Sequence, residues 1–359
     1  VLIIIQNDLI IIGELHQDLL YETSFFELLS ERIVDQLLKF IQYNPDDLGK
    51  SLMNRIIKKA IVNIPKKNNA NCFLKKGGNG NNTAEYCASL GIPTKLISVI
   101  GKSSNWMIDE LNASGVNTDL IFKNDLLTPV STILKSNFTT KIFIAQNLKE
   151  KMNFEGINID TNVFNTSKVL YITPIADKFK KFLKISKKLK IFTCLNIEAQ
   201  KIRSFEHLES LIENKIDVLF INKDDANLIL NQILSLDETD GYFKKFANIR
   251  VYTVGNEGSY LLTDNVKLTY PTIQLENVKD RTGAGDCYAA GFLSKLFELT
   301  KDKSSCHALL QDNPLDQIKE HLLSCMELGT YSALYKISTQ AVPKKDDLKR
   351  FIRKIKTSE

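Results

Sequence analysis

Short apolar runs alternate with longer amphipathic ones along the middle of the chain. "VLYIT" from Val169 precedes a Lys-rich helical pattern, and "IFTCLNI" from Ile191 and "VLFIN" from Val218 each precede another helix, before "VYTVG" from Val251. Strands that alternate with helices predict a parallel sheet covered on both faces. Two stretches nearer the start, "PVSTILKS" and "TKIFIAQ", alternate apolar and polar positions and predict strands joined by a turn. Such hairpin-like runs fit poorly in a parallel set and predict a separate small sheet.

The opening "VLIIIQNDLIIIGEL" reads as a first buried strand. Gln6, Asn7 and Asp8 interrupt it, it lacks a basic leader, and it is too short to span a bilayer. Ile33, Val34, Leu37, Leu38 and Ile41 then recur at helical spacing, and a second helical run from Leu48 to Val62 ends near Pro65. These read as an inserted helical pair. "GGNGNNTAEYCASLGIP" predicts a turn and a short helix with Ala84, Cys87, Ala88 and Leu90 on its apolar side, stopped by Gly91. "TKLISVIG" follows as a buried strand, and Ser104 to Ala113 reads as a helix stopped by Gly115.

Composition narrows the class. With 359 residues, 43% apolar and 25% charged, the chain has the balance of a soluble globular protein with a large core or two domains. The net charge of +5 is spread through stretches such as "DKFKKFLKISKKLK", which read as solvated helix faces, so neither a nucleic-acid nor a membrane partner is expected. Cys72, Cys87, Cys194, Cys287, Cys306 and Cys325 show no CxxC and no paired spacing, which points away from zinc and disulfides and towards a reducing, cytoplasmic setting.

Ligands of open parallel sheets bind at the carboxyl ends of the strands. Asn222 follows "VLFI", Thr253 and Gly255 follow "VY", and the turn of "DRTGAGDCYAAGFL" precedes the longest apolar helix pattern. In the turn, the N–H groups of Gly283, Ala284 and Gly285 suit an anion hole and Asp286 a general base. The alternative is a first-turn acid favoured by the helix dipole, and on this turn alone it is the stronger reading. Gly77 and Gly78 with Asn79 and Asn82 suit either a ligand approach or helix capping. Asp18, five residues after Gly13, is as readily a solvated turn residue. Neither GxGxxG nor GxxxxGK[ST] occurs at the glycine turn.

Taken in order, these motifs resemble the ribokinase-like, or PfkB, carbohydrate kinases along nearly the whole chain. They are "GELHQD", "GGNGNNTAEYCASLGIPTKLISVIG", "NASGVNTDLI", "NKDD", "TVGNEGS", "DRTGAGDCYAAGFL" and "AVPKKDDL". The resemblance implies one α/β kinase domain over 1–359, a parallel-centred sheet with helices on both faces, and a small β-sheet lid. The lid strands would lie near 15–20, 71–76, 128–134 and 141–145, with a helical insertion over about 24–69.

By the same resemblance Asp286 is the base that takes the acceptor's proton, and Gly283, Ala284 and Gly285 cradle the transferring phosphoryl group. Asp18, Gly78, Asn79 and Asn82 hold sugar hydroxyls, while Asn222, Thr253, Gly255 and Gly258 bind nucleotide. Asp225 is placed at magnesium and Asp280 near a monovalent cation, K+. The helix amides are expected to keep Asp286 ionised. ATP and Mg2+ are the implied cofactors, and a homodimer through the lid the implied assembly.

Three departures stand out. The family's NxxE is Asn222-Lys223-Asp224-Asp225, one methylene shorter at the acid. Its DxNxR is Cys194, Leu195, Asn196 without the arginine, and "SCMELGTYSALYK" lacks the asparagine often seen beside adenine. The insertion either reshapes substrate access or the dimer contact, or is a surface addition.

The expected function is ATP-dependent phosphorylation of a primary hydroxyl of a sugar or sugar-like molecule. The alternatives are a nucleoside kinase of the adenosine-kinase type and a non-catalytic nucleotide or metabolite binder, the last motivated by the altered metal motif and missing arginine.

Overall fold

The computed structural model describes residues 9–43, 50–65, 69–136, 139–275, 278, 281–300, 306–307 and 315–357. In chain order the strands are β1 (Leu9–Gly13), β2 (His16–Thr23), β3 (Ala70–Gly77), β4 (Thr94–Gly101), β5 (Val116–Asn124), β6 (Val130–Lys135) and β7 (Thr140–Ile144). They continue as β8 (Val169–Thr173), β9 (Phe192–Ile197), β10 (Ile216–Asn222), β11 (Ala247–Thr253), β12 (Ser259–Leu262) and β13 (Lys267–Tyr270). The helices used below are α1 (Phe25–Tyr43), α2 (Lys50–Val62), α3 (Asn79–Ser89), α4 (Leu236–Phe243), α5 (Ala284–Leu299) and α6 (Leu315–Thr339). The chain divides into two compact units, one over Val1–Leu15, Gly77–Leu127 and Met152–Glu359, the other over His16–Lys76 and Thr128–Lys151.

The larger unit is built on a nine-stranded sheet in the order β13-β12-β11-β10-β9-β8-β1-β4-β5. Pairing is parallel from β11 to β5 and antiparallel at β12 and β13, so the parallel set predicted from the alternation carries an antiparallel edge. β1 lies between β8 and β4, where the chain order reverses and a ligand crevice is expected beyond the strand ends. Leu9, Ile10, Ile11 and Ile12 are wholly buried, as an unbroken apolar run must be when both sheet faces are covered.

Glycine decides how closely helices approach this sheet. A Cβ on Gly13 would sit 2.6 Å from the Gly80 Cα and 2.5 Å from the Thr173 carbonyl oxygen, so the end of β1 and the first turn of α3 meet backbone to backbone. The Asn81 N–H donates to the Glu14 carbonyl at 3.3 Å across the same contact. α5 and α6 also meet closely, since a Cβ on Gly291 would fall 2.4 Å from Ser332 Oγ.

A charged pair is buried inside this unit away from the crevice. Arg250 on β11 is almost fully buried and donates through Nε and Nη2 to Asp240 of α4, at 3.0 and 2.8 Å. Tyr252 donates to the same carboxylate at 3.0 Å, so the charge pair is bidentate and further hydrogen-bonded.

The smaller unit contains the predicted separate sheet, in the order β3-β2-β6-β7. β2 and β6 run parallel, with Asp18 opposite Ser131, and β6 and β7 antiparallel. α1 and α2 lie between β2 and β3 in sequence and pack on each other, with Ile56 and Ala60 buried. Val34, Leu38, Ile61 and Val62 stay exposed. Among the described residues no helix is long and apolar enough to cross a membrane.

Candidate active site

The start of α5 sets the site. Gly283 is the N-cap, with φ 78° in the left-handed region that glycine enters without strain, and Asp286 falls in the first turn. A Cβ on Gly285 would meet nothing within 4 Å, so the backbone there faces open space. The Ala284 N–H donates to the Arg281 carbonyl at 3.2 Å and thereby closes the turn.

Asp286 is buried, and both of its oxygens are held by α3. Asn79 Nδ2 donates to Oδ1 at 3.1 Å and Asn82 Nδ2 to Oδ2 at 2.8 Å. Capping of α3 is therefore not what these asparagines do: the N-cap is Gly78, with φ 100° and no side-chain cap bond. The Gly13–Gly80 approach is what brings the first turn of α3 to this position.

The electrostatics reverse one expectation. Burial pushes the Asp286 carboxyl up to about 7, the Asn82 bond opposes this, and the nearby Glu198 charge adds to it. The helix amides were expected to keep the group ionised, but the loss of water outweighs them. Asn79 and Lys336 favour the ionised form more weakly.

Glu198 is a residue that pattern reading passed over. It follows β9, two residues beyond Asn196, where an arginine was noted as missing. The signal was present: the position carries the opposite charge. Its Oε1 accepts from Asn79 Nδ2 at 2.6 Å, so one amide serves two carboxylates, and burial raises its own carboxyl above the usual range. Nearby, the buried Glu14 at the end of β1 pairs with Lys178 at 3.0 Å and Lys201 at 2.8 Å.

A cleft of about 750 Å³ opens beside the α5 start. Gly283, Ala284, Gly285 and Asp286 line it together with Asn222, Asp225, Thr253, Gly255 and Gly258, while Ile273, Leu275, Ala333, Leu334 and Ile337 supply an apolar wall. Asn222 caps the helix that follows β10, accepting from the Asp224 N–H at 2.8 Å. Gly258 is required by its backbone, since φ is 97° and a Cβ would lie 2.2 Å from the Tyr270 carbonyl oxygen. Asp225 is half-buried, and desolvation raises its carboxyl.

Asp18 belongs to the smaller unit, where His16 Nε2 lies 3.2 Å from its Oδ1. Asp280 lies outside the described residues. Among those described, no group of three acids, histidines or cysteines gathers in a metal-binding cluster.

The family model for pfkB family carbohydrate kinases matches residues 51–333. A nucleoside kinase from Methanocaldococcus jannaschii is 29% identical over 226 residues, 61% of this chain and 71% of that protein. The ribokinase of Giardia lamblia superposes with a TM-score of 0.71 at 16% identity, covering 98% of this chain and 99% of the other. Arabidopsis thaliana ribokinase, solved with ribose and ATP, gives 0.65 at 17% identity, covering 97% and 99%. With an ordered motif series, a matching fold and a family match over most of its length, the chain belongs to the pfkB family of carbohydrate kinases, phosphotransferases with an alcohol group as acceptor.

Proposed function

We propose that the chain transfers the terminal phosphoryl group of ATP to a hydroxymethyl group of a small sugar or sugar-like acceptor, with Asp286 as the base. The observation that carries this reading is the placement of Asp286 at a helix start, buried, oriented through both oxygens and opening onto the cleft. In the reaction the acceptor hydroxyl gives its proton to the ionised Asp286. Its oxygen bonds to the γ-phosphorus as the bond from phosphorus to the bridging oxygen breaks, and ADP leaves with that electron pair. In this reading the amides of Gly283, Ala284 and Gly285 meet the developing charge, Ala284 on release from the Arg281 carbonyl.

Asn222, Thr253, Gly255 and Gly258 fit the nucleotide, and the apolar wall fits a purine base. Asp225, the acid of the NxxD motif, fits Mg2+, which keeps several waters and needs only one or two carboxylates beside phosphate oxygens. Bound there, the ion would neutralise phosphate charge. Asp18, Gly78, Asn79 and Asn82 are assigned to the acceptor by resemblance. In the structure both Asn79 hydrogens are engaged, which leaves its Oδ1 to accept.

A nucleoside as acceptor is the second reading, favoured by the identity with the Methanocaldococcus jannaschii nucleoside kinase. ADP release over a panel of sugars and nucleosides with ATP and Mg2+ decides between them. At least one acceptor should be turned over, with kcat/KM rising as pH rises through about 7 because only ionised Asp286 takes a proton. Absence of turnover with every acceptor would favour a binding protein.

The smaller sheet supports a homodimer. Its two edge strands, β3 and β7, carry exposed Phe73, Leu74, Ile142, Phe143 and Ile144, apolar side chains that a second copy would cover. Sedimentation should find a dimer that Phe143→Asp converts to a monomer; a wild-type monomer would count against it.

A further inference from the structure

We infer that Glu198 is a positioning residue for Asp286, acting through the Asn79 amide that the two carboxylates share. Asn79 Nδ2 has two hydrogens and two carboxylate partners, at 2.6 Å on Glu198 and 3.1 Å on Asp286. Without Glu198 that amide has one anchor and is free to rotate. With it, Asn79 is fixed with its donors towards both acids, and Asp286 Oδ1 is held independently of Asn82.

The arrangement is specific to this chain. Where the related motif places an arginine two residues after Asn196, this chain has an acid, so a charge that attracts phosphate is replaced by one that orients an amide. A carboxylate facing a nucleotide cleft is unfavourable towards phosphate, and the Glu198 contact to Asn79 directs it instead to the base. The charged and titratable groups around the pair come from several elements. Asp286 is influenced by Glu198 after β9 and Lys336 of α6, and its charge acts on Tyr171 of β8 and Cys287 of α5. Glu198 is influenced by Glu14 after β1, Lys201, and Asp225 after β10. The Glu198 charge disfavours ionisation of Asp286, while the Asn79 bond favours it. Loss of the charge and loss of the amide therefore move the base in opposite directions.

The proposal rests on Asp286 being the base, so its test reads Asp286 directly as well as through turnover. Carboxyl 13C NMR of the full chain, with Asp286 identified by its absence in Asp286→Asn, follows the protonation midpoint. Glu198→Gln keeps an acceptor for Asn79 and removes the charge, and should lower the midpoint by about one unit. The acidic limb of kcat/KM should move down by the same amount. Asn79→Ala should raise the midpoint. In a double-mutant cycle, Glu198→Ala and Asn79→Ala should be markedly less than additive in kcat, because they remove one unit. Midpoints that stay in place in both Glu198→Gln and Asn79→Ala would overturn the proposal, as would full additivity. A midpoint that moves in a protein with no kinase activity would leave Glu198's role standing and remove the phosphotransfer reading.

Discussion

Asp286→Asn should lower kcat for phosphoryl transfer by about 10²–10⁴-fold, the range a positioned general base contributes, while ATP-dependent thermal stabilisation is retained. The same variant carries a second expectation of opposite sign. The wild-type carboxyl is raised from an ordinary value of 3.8 to about 7, so between those pH values the unfolded chain has released a proton that the folded chain keeps. Stability associated with this group is present below about pH 4 and is lost as pH rises towards 7. An asparagine does not titrate. The variant should therefore match the wild type near pH 4 and become more stable than it by on the order of 2–4 kcal/mol at pH 8. Melting curves at the two pH values check this. Normal turnover would rule out Asp286 as the base, and a difference in Tm independent of pH would rule out burial as the cause of its raised pKa.

Asp240→Ala is expected to be the most damaging substitution away from the cleft. It would leave the buried Arg250 guanidinium without its bidentate partner and Tyr252 without its acceptor. Breaking a buried pair by removing one member typically costs about 3–5 kcal/mol, since the stranded charge cannot be rehydrated. Asp264, which also reaches Arg250 at 3.3 Å, is mostly exposed and offers little compensation. Chemical denaturation should show the loss as a lower midpoint with an unchanged slope. A loss below about 1 kcal/mol, as for an exposed pair, would mean that water reaches the guanidinium.

What sequence pattern reveals here divides along physical lines. The buried parallel strands were legible because unbroken apolar runs between amphipathic helices have few other uses. β12 and β13 were not, because four residues are too few for a period to register. The glycine turn was visible as a motif, but its electrostatics were not. A helix start favours a carboxylate, yet how far Asp286 is withdrawn from water depends on what covers it, and the Asn79 and Asn82 contacts come from 207 and 204 residues away. The choice between ligands and caps for Asn79 and Asn82 was not legible for the same reason, since the Asp286 bonds that set capping aside have no local signature. Glu198 lay in view, two residues past Asn196, but an unexpected acid acquires meaning only beside the amide it holds.

The helical pair α1 and α2 has a consequence for how this chain can change length. It connects β2 and β3, which are neighbours in the four-stranded sheet, so it spans two chain ends that lie close together whatever is placed between them. Closing a longer connection between fixed neighbours costs little extra entropy, about 0.6 kcal/mol for each doubling of length. The position is therefore a natural point for insertion: a short turn, the present helices or a foreign module can occupy it while the strand register is kept. For an engineer it is a permissive graft point, and for a lineage a place where new surface accumulates without revision of the sheet that carries it.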